Sequence, residues 1–141
     1  MSDPNENGEI KAMESALTQA GITSRDVEYV NTHGTSSPLG DATELGAIKK
    51  VFKENMERIW INSTKGLTGH CLFSAGVVEA IAAIIQMQAG FIHPNKNLED
   101  PIDKDFQFGG KHMTKAQINT AMSNSFGFGG INTSIIIKKG A

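Results

Sequence analysis

The sequence predicts an α/β fold, a mixed sheet with helices packed on it, and three observations predict it. Helical periodicity alternates with short β-forming runs along the first two thirds of the chain. Two of the strand-to-helix handovers are glycine- and hydroxyl-rich turns carrying a histidine each, His33 in NTHGTSSPLGD and His70 in NSTKGLTGHCLFSAG. The chain closes on two β-rich runs joined by SFGFGGIN, the pattern of an antiparallel hairpin.

Each element has its own local reason. The opening MSDPNENG is polar and turn-rich, so residues 1–7 are expected to lie outside the folded part. Ile10, Met13, Ala16, Leu17 and Ala20 recur at helical spacing, closed by Gly21, and Val27 to Asn31 follows as a short strand. Ser37 and Pro38 suit the N-cap and first turn of a second helix, whose apolar face is Leu39, Ala42, Leu45, Ile48, Val51 and Phe52. Arg58 to Asn62 reads as the next strand. An apolar helix is expected from about His70 to Ala89, ended by Gly90 and a loop holding Pro94. Asn95 to His112 shows little periodicity. Thr120 to Asn124 and Thr133 to Lys138 are the final strands. Strands joined through helices should run parallel, and the last two antiparallel.

At 141 residues the chain is expected to be one domain, 1–141, small for an enzyme with a two-substrate site and so part of a catalytic unit. A net charge of -2, with scattered Lys and Arg, argues against nucleic acid or a membrane surface as partner. The single cysteine, Cys71, excludes an internal disulfide framework and fits a reducing, cytoplasmic setting. The longest apolar stretch, Val77 to Ala89, contains Glu79, Gln86 and Gln88 and is short for a bilayer span, so it reads as a buried helix.

The candidate chemistry lies in the turns. His33 comes two residues after a strand and ahead of a helix, which should aim its ring into the crevice at the carboxyl edge of the sheet. The alternative is a ring that only hydrogen-bonds its own turn. His70, placed at the start of the apolar helix, would meet the positive end of the helix dipole, stay neutral and donate to a substrate oxygen; the alternative is a capping role. Glu79 is the sole charge on that helix and needs a partner, for which Lys65 is nearest in sequence, unless the carboxylate faces solvent. SFGFGGIN lets backbone amides approach a ligand beneath an aromatic cover, by itself a weak signal. Cys71 makes a poor nucleophile for His70, since neighbouring residues at a helix start diverge by about a hundred degrees. No two of His33, His70, His93 and His112 share a metal-ligand spacing, so no metal is expected.

NTHGTSSPLGD, STKGLTGH with its SAGVVEA helix, and NSFGFGG, in this order and separation, resemble the C-terminal part of the β-ketoacyl-acyl carrier protein synthases. These condensing enzymes of fatty-acid and polyketide synthesis have a thiolase fold of two similar α/β halves. The resemblance runs from about Gly8 to Lys138. It implies that His33 and His70 are the family's two catalytic histidines, supporting decarboxylation of a malonyl thioester and holding the enolate. It also implies that Lys65 is the family's motif lysine, paired with Glu79 as structural glutamate. Phe128 is similar to the gating phenylalanine whose amide joins the oxyanion hole, and Thr35 and Ser37 to hydroxyls that contact the pantetheine arm. No free cofactor is implied, since substrates ride on the phosphopantetheine of acyl carrier protein, and the full enzyme would be a dimer.

Departures sharpen this expectation. Cys71, Phe73 and Ser74 stand where the family commonly has leucine, glycine and alanine, which points to a specialised, polyketide-type synthase. The nucleophilic cysteine belongs to the family's first half, which this sequence lacks. The first strand of its own half is also expected to be missing, leaving Val27 to Asn31 as an open edge for a partner chain. The expectation is therefore a ketosynthase half inactive in condensation alone. The alternatives are a malonyl-carrier decarboxylase and a non-catalytic chain-length partner.

Overall fold

The computed structural model describes residues 3–140. Its secondary structure runs α1 (Glu6–Ala20), β1 (Tyr29–Asn31), α2 (Pro38–Phe52), β2 (Trp60–Asn62), α3 (Lys65–Thr68), α4 (Ala75–Ala89), β3 (Phe91–Ile92), β4 (Gln107–Phe108), β5 (Thr114–Lys115), β6 (Thr120–Gly127) and β7 (Ile131–Lys138). Five strands form one sheet in the order β4-β2-β1-β6-β7, parallel except for β7, which returns antiparallel on β6. β3 and β5 make a separate two-stranded ribbon. The architecture is therefore the expected mixed α/β sheet with helices on it.

Strand alternation divides the core in two. Val30, Ile61 and Met122 point to one face, where Met13 and Leu17 of α1 and Leu45, Ile48 and Phe52 of α2 cover them. Tyr29 and Ala121 point to the other, against Ala83 and Met87 of α4. Register then has a consequence for the site: Asn31 pairs with Asn62 on β2 and with Ser123 on β6, which sets a polar row across the carboxyl end of the sheet on the α4 side.

Three expectations need correction. Residues 1–7 are not all outside the fold, because Asn5 caps α1 through its side chain, accepting from the Gly8 N–H at 3.1 Å; Met1 and Ser2 lie outside the described residues. β1 is not an open edge: β6 joins it in parallel on one side and β2 on the other, so the edges of the sheet are β4 and β7. The apolar helix begins at Ala75, not His70. The four-residue α3 and an irregular turn intervene, since Gly69 and Leu72 both take positive φ, 71° and 50°.

Smaller differences follow from long-range pairing. β6 and β7 extend to Gly127 and Ile131, leaving only Phe128–Gly130 as the turn, because Gly129 and Gly130 supply φ of 80°. Ser37 occupies the N-cap of α2 without a side-chain bond; its carbonyl accepts from the Asp41 N–H at 2.8 Å. The segment from Leu72 to Ala89 has a mean hydropathy of 1.5, enough by length and composition for a membrane span. It nevertheless turns Glu79 and Gln86 onto the sheet, both nearly inaccessible to solvent, while Val77, Ile81 and Ile85 stay exposed.

Candidate active site

The two histidine turns meet because β1 and β2 are parallel neighbours, so the loops leaving their carboxyl ends lie side by side. Asn31 ties them together: its Oδ1 accepts from both the N–H (3.0 Å) and the hydroxyl (2.7 Å) of Thr64, the residue that opens α3. The rings of His33 and His70 come to 5.6 Å between centroids, nearly perpendicular, with Phe126 tilted against His33 at 6.2 Å.

The backbone around His33 is held by Glu44 of α2. This buried carboxylate accepts from the N–H groups of His33 (2.9 Å) and Gly34 (3.0 Å) and from Nδ2 of Asn124 on β6 (3.1 Å). Gly34 is required here: its φ is 34°, and a Cβ would meet Thr32 Oγ1 at 2.6 Å and Ser63 Cβ at 2.7 Å. Burial, then the Lys65 ammonium, then His70 push His33 down to about 4, so the ring is neutral at physiological pH. Its Nδ1 is buried without a partner among the described residues.

His70 is exposed, and its tautomer follows from geometry. Leu72 donates its N–H to Nδ1 at 3.1 Å, a contact made possible by the left-handed backbone at Leu72. An Nδ1 that accepts leaves the neutral ring's proton on Nε2, which is then a fixed donor. That orientation comes from the turn, since α4 starts five residues on and its dipole is not at the ring.

Lys65 and Glu79 form a buried ion pair, with side-chain exposures of 4% and 2%. Asn31 Nδ2 donates to the other Glu79 oxygen at 3.3 Å and to Ser123 Oγ at 3.2 Å, so the pair rests on the polar row of the sheet. It also puts a positive charge near His33, which adds to burial in keeping that ring neutral.

Thr35, Ser37 and Phe128 line one cavity of ≈ 420 Å³ with both histidines, and the Phe128 ring is exposed at its rim. A second cavity of ≈ 370 Å³ shares the histidines and is walled by Leu72, Phe73, Phe126 and Ile131. A third, of ≈ 290 Å³, lies behind the same turn and touches neither imidazole. Cys71 turns back on its own loop, its thiol toward the Gly69 carbonyl at 3.9 Å.

Sequence reading missed Glu44, Glu9, Asn31 and Asn124. Glu44 had a signal, a carboxylate three and four residues before Ala47 and Ile48 of the buried face. Glu9, four residues before the buried Met13, had a weaker one. His93, considered only as a possible ligand, is buried in the polar network behind the site, with Nδ1 3.2 Å from Asn62 Nδ2, Nε2 3.5 Å from the Thr64 hydroxyl and its backbone N–H donating to Gln86 Oε1 at 2.8 Å.

Comparison with known proteins agrees with this geometry. Residues 1–99 match the family described as Beta-ketoacyl synthase, C-terminal domain. The chain is 40% identical over 136 residues to the polyketide biosynthesis malonyl-ACP decarboxylase PksF of Bacillus subtilis, covering 96% of this chain and 32% of that protein. A β-ketoacyl synthase structure from Burkholderia phymatum superposes with a TM-score of 0.92 at 34% identity, over 100% of this chain and 34% of that one. A type II polyketide ketosynthase in complex with its acyl-carrier protein superposes at 0.91 and 32% identity, over 100% and 35%. The chain thus spans about a third of the length of the relatives it matches. In motif order, fold and site architecture, it belongs to the β-ketoacyl synthase family, as a C-terminal ketosynthase domain of the thiolase fold.

Proposed function

We propose that this chain is the C-terminal half of a decarboxylating ketosynthase, acting on malonyl thioesters carried by the phosphopantetheine of acyl carrier protein. The observation that carries the reading is the pair of imidazoles, one held neutral by burial and the other with its donor fixed at Nε2, set edge to face on one cavity. As the carboxylate of a malonyl group leaves as carbon dioxide, negative charge grows on the thioester oxygen. Neutral N–H donors aimed at that oxygen stabilise the enolate more than the ground state, which lowers the barrier. Burial keeps His33 neutral, and the Lys65 ammonium, anchored by Glu79, adds to that effect. Thr35 and Ser37 at the cavity wall suit the hydroxyl and amide groups of a pantetheine arm, and Phe128 stands at its rim.

Condensation would need a nucleophile from a complementing half, and the surface suits such an addition. The outer side of α4 is largely apolar, with Val77, Ile81, Ile84 and Ile85 exposed beside Ile131 and Ile135 of the edge strand β7. A helix of that composition is normally covered on both sides. The second reading is a malonyl-carrier decarboxylase, favoured by the likeness to PksF; condensation then drops out and the enolate is simply protonated.

The test supplies the complementing half and measures carbon dioxide release and condensation separately, with His33→Ala and His70→Ala. Loss of carbon dioxide release in both variants supports the reading. Variants that decarboxylate as well as the parent overturn it, and condensation by the parent separates synthase from decarboxylase.

A further inference from the structure

Glu9 is a carboxyl that the scheme above does not use. It sits in the first turn of α1, 2% exposed, in the wall of the ≈ 420 Å³ cavity that both histidines line. Its Oε2 has no hydrogen-bond partner among the described residues. Nearby Glu44 is its opposite: both Glu44 oxygens are engaged, by three N–H donors in all, from His33, Gly34 and Asn124.

Two buried carboxyls in one another's field do not both ionise readily. Burial pushes Glu44 up to about 7 as well, but three donors and the Lys65 charge oppose that rise, while nothing opposes it on Glu9, so of the two carboxyls Glu9 is the one whose surroundings favour only the protonated form. The other charged groups around them leave this balance in place. Glu6 on the same helix adds negative charge and is paired with Lys50 at 2.6 Å, and Lys65 acts on Glu44. Asp3, Asp41, His33 and His70 complete the titratable wall of the cavity. Burial and the Glu44 and Glu6 charges push Glu9 up to about 7, the value of an acid that can give and regain a proton near neutral pH.

We infer that Glu9 is a further catalytic residue, the acid that protonates the α carbon of the enolate and so converts a malonyl into an acetyl thioester. The inference rests on the decarboxylation reading given above. The carbon–carbon bond to the carboxylate breaks and carbon dioxide leaves. The electron pair passes to the enolate oxygen under the two imidazole donors, then returns to form a carbon–hydrogen bond with the Glu9 proton. The carboxylate left on Glu9 takes its next proton from water entering the cavity.

The experiment uses the protein complemented with its other half, malonyl-carrier thioester as substrate, and mass detection of acetyl-carrier product beside carbon dioxide release. Parent, Glu9→Gln and Glu9→Asp are compared across pH, first without and then with an acyl acceptor. Glu9→Gln is expected to form acetyl-carrier at least about tenfold more slowly and to lose the limb with a midpoint near 7, with Glu9→Asp recovering part of both. With acceptor present, product should shift from acetyl-carrier toward condensation. A Glu9→Gln protein with the parent's acetyl yield and pH profile overturns the inference. So does one in which decarboxylation and condensation fall together with thermal stability, the mark of a structural role. His33→Ala and His70→Ala in the same assay keep the two ideas apart: if they release carbon dioxide like the parent, the decarboxylation reading fails. If they are impaired and Glu9→Gln is unchanged, only the role of Glu9 fails.

Discussion

Replacing Glu9 by glutamine should make the folded protein less sensitive to alkaline pH. A carboxyl with an ordinary value of 4.5 that rises to about 7 on folding binds more protons in the native than in the unfolded state across that interval. Stability is therefore full below about pH 4.5 and is lost as pH rises through about 7. At 1.36 kcal/mol for each tenfold change in proton affinity, the loss is roughly 3 kcal/mol, an upper bound because water in the adjacent cavity screens part of the charge. Glutamine keeps the shape, carries no charge at any pH and can donate its NH2 to Glu44. Urea unfolding of the complemented protein should therefore show parent and Glu9→Gln nearly equal at about pH 5, with the variant ahead by on the order of 2 kcal/mol at about pH 8. A gap that stays flat between these two conditions, or a parent that gains stability as pH rises, would refute the placement of the proton on Glu9.

Glu44→Gln should instead destabilise, because either orientation of its amide sets an NH2 against the N–H of Gly34 or those of His33 and Asn124; burial pushes Glu44 up to about 7 too, so the deficit should be smaller at about pH 8 than at about pH 5, and pH-dependent unfolding checks it. Lys65→Met strands the Glu79 charge against the sheet and should cost about 3–5 kcal/mol in urea unfolding. Adding Glu79→Leu should recover much of that, and additive losses would contradict a true pair. Gly34→Ala must displace Thr32 or Ser63 at a positive φ and should cost about 1–3 kcal/mol, with carbon dioxide release falling by more than the folded fraction explains. The His33 ring, pushed down to about 4, should show no NMR titration between about pH 8 and pH 5. A midpoint near the ordinary 6.5 would mean that neither burial nor Lys65 acts on it.

Local chemistry made much of the site legible. A carboxylate alone on an apolar helix has to find a cation, and Glu79 finds Lys65. Two histidines after two successive strands come together whenever those strands are parallel neighbours, as β1 and β2 are. What pattern did not carry was contact between distant segments. The polar row under the site depends on Asn31 meeting Ser123, 92 residues on, a register that no periodicity records. Glu44 and Glu9 are significant only because α2 and α1 pack on the same side of the sheet, which turns two unremarkable helix positions toward one another. β3, β4 and β5 are two residues each, too short for any alternation to show.

The misplaced edge shows how a sound physical premise reached the wrong surface. The fold implied by the family resemblance led to the expectation of an exposed edge in this chain. The error lay in assigning that exposure to Val27 to Asn31, on the assumption that a central strand was missing, when β6 fills that place and leaves Val30 fully buried. The uncovered surface is instead the outer side of α4 together with the free edge of β7, where Ile81 and Ile85 stand 52% exposed. The sequence carried this signal too, because Val77, Ile81, Ile84 and Ile85 lie on the side of the helix away from Glu79 and Gln86, which the sheet takes. The cavity of ≈ 370 Å³ runs from the two histidines to Phe73 and Ile131 on that open side. A complementing half seated there would close the cavity over both imidazoles, excluding water and strengthening the donors on which the proposed decarboxylation depends.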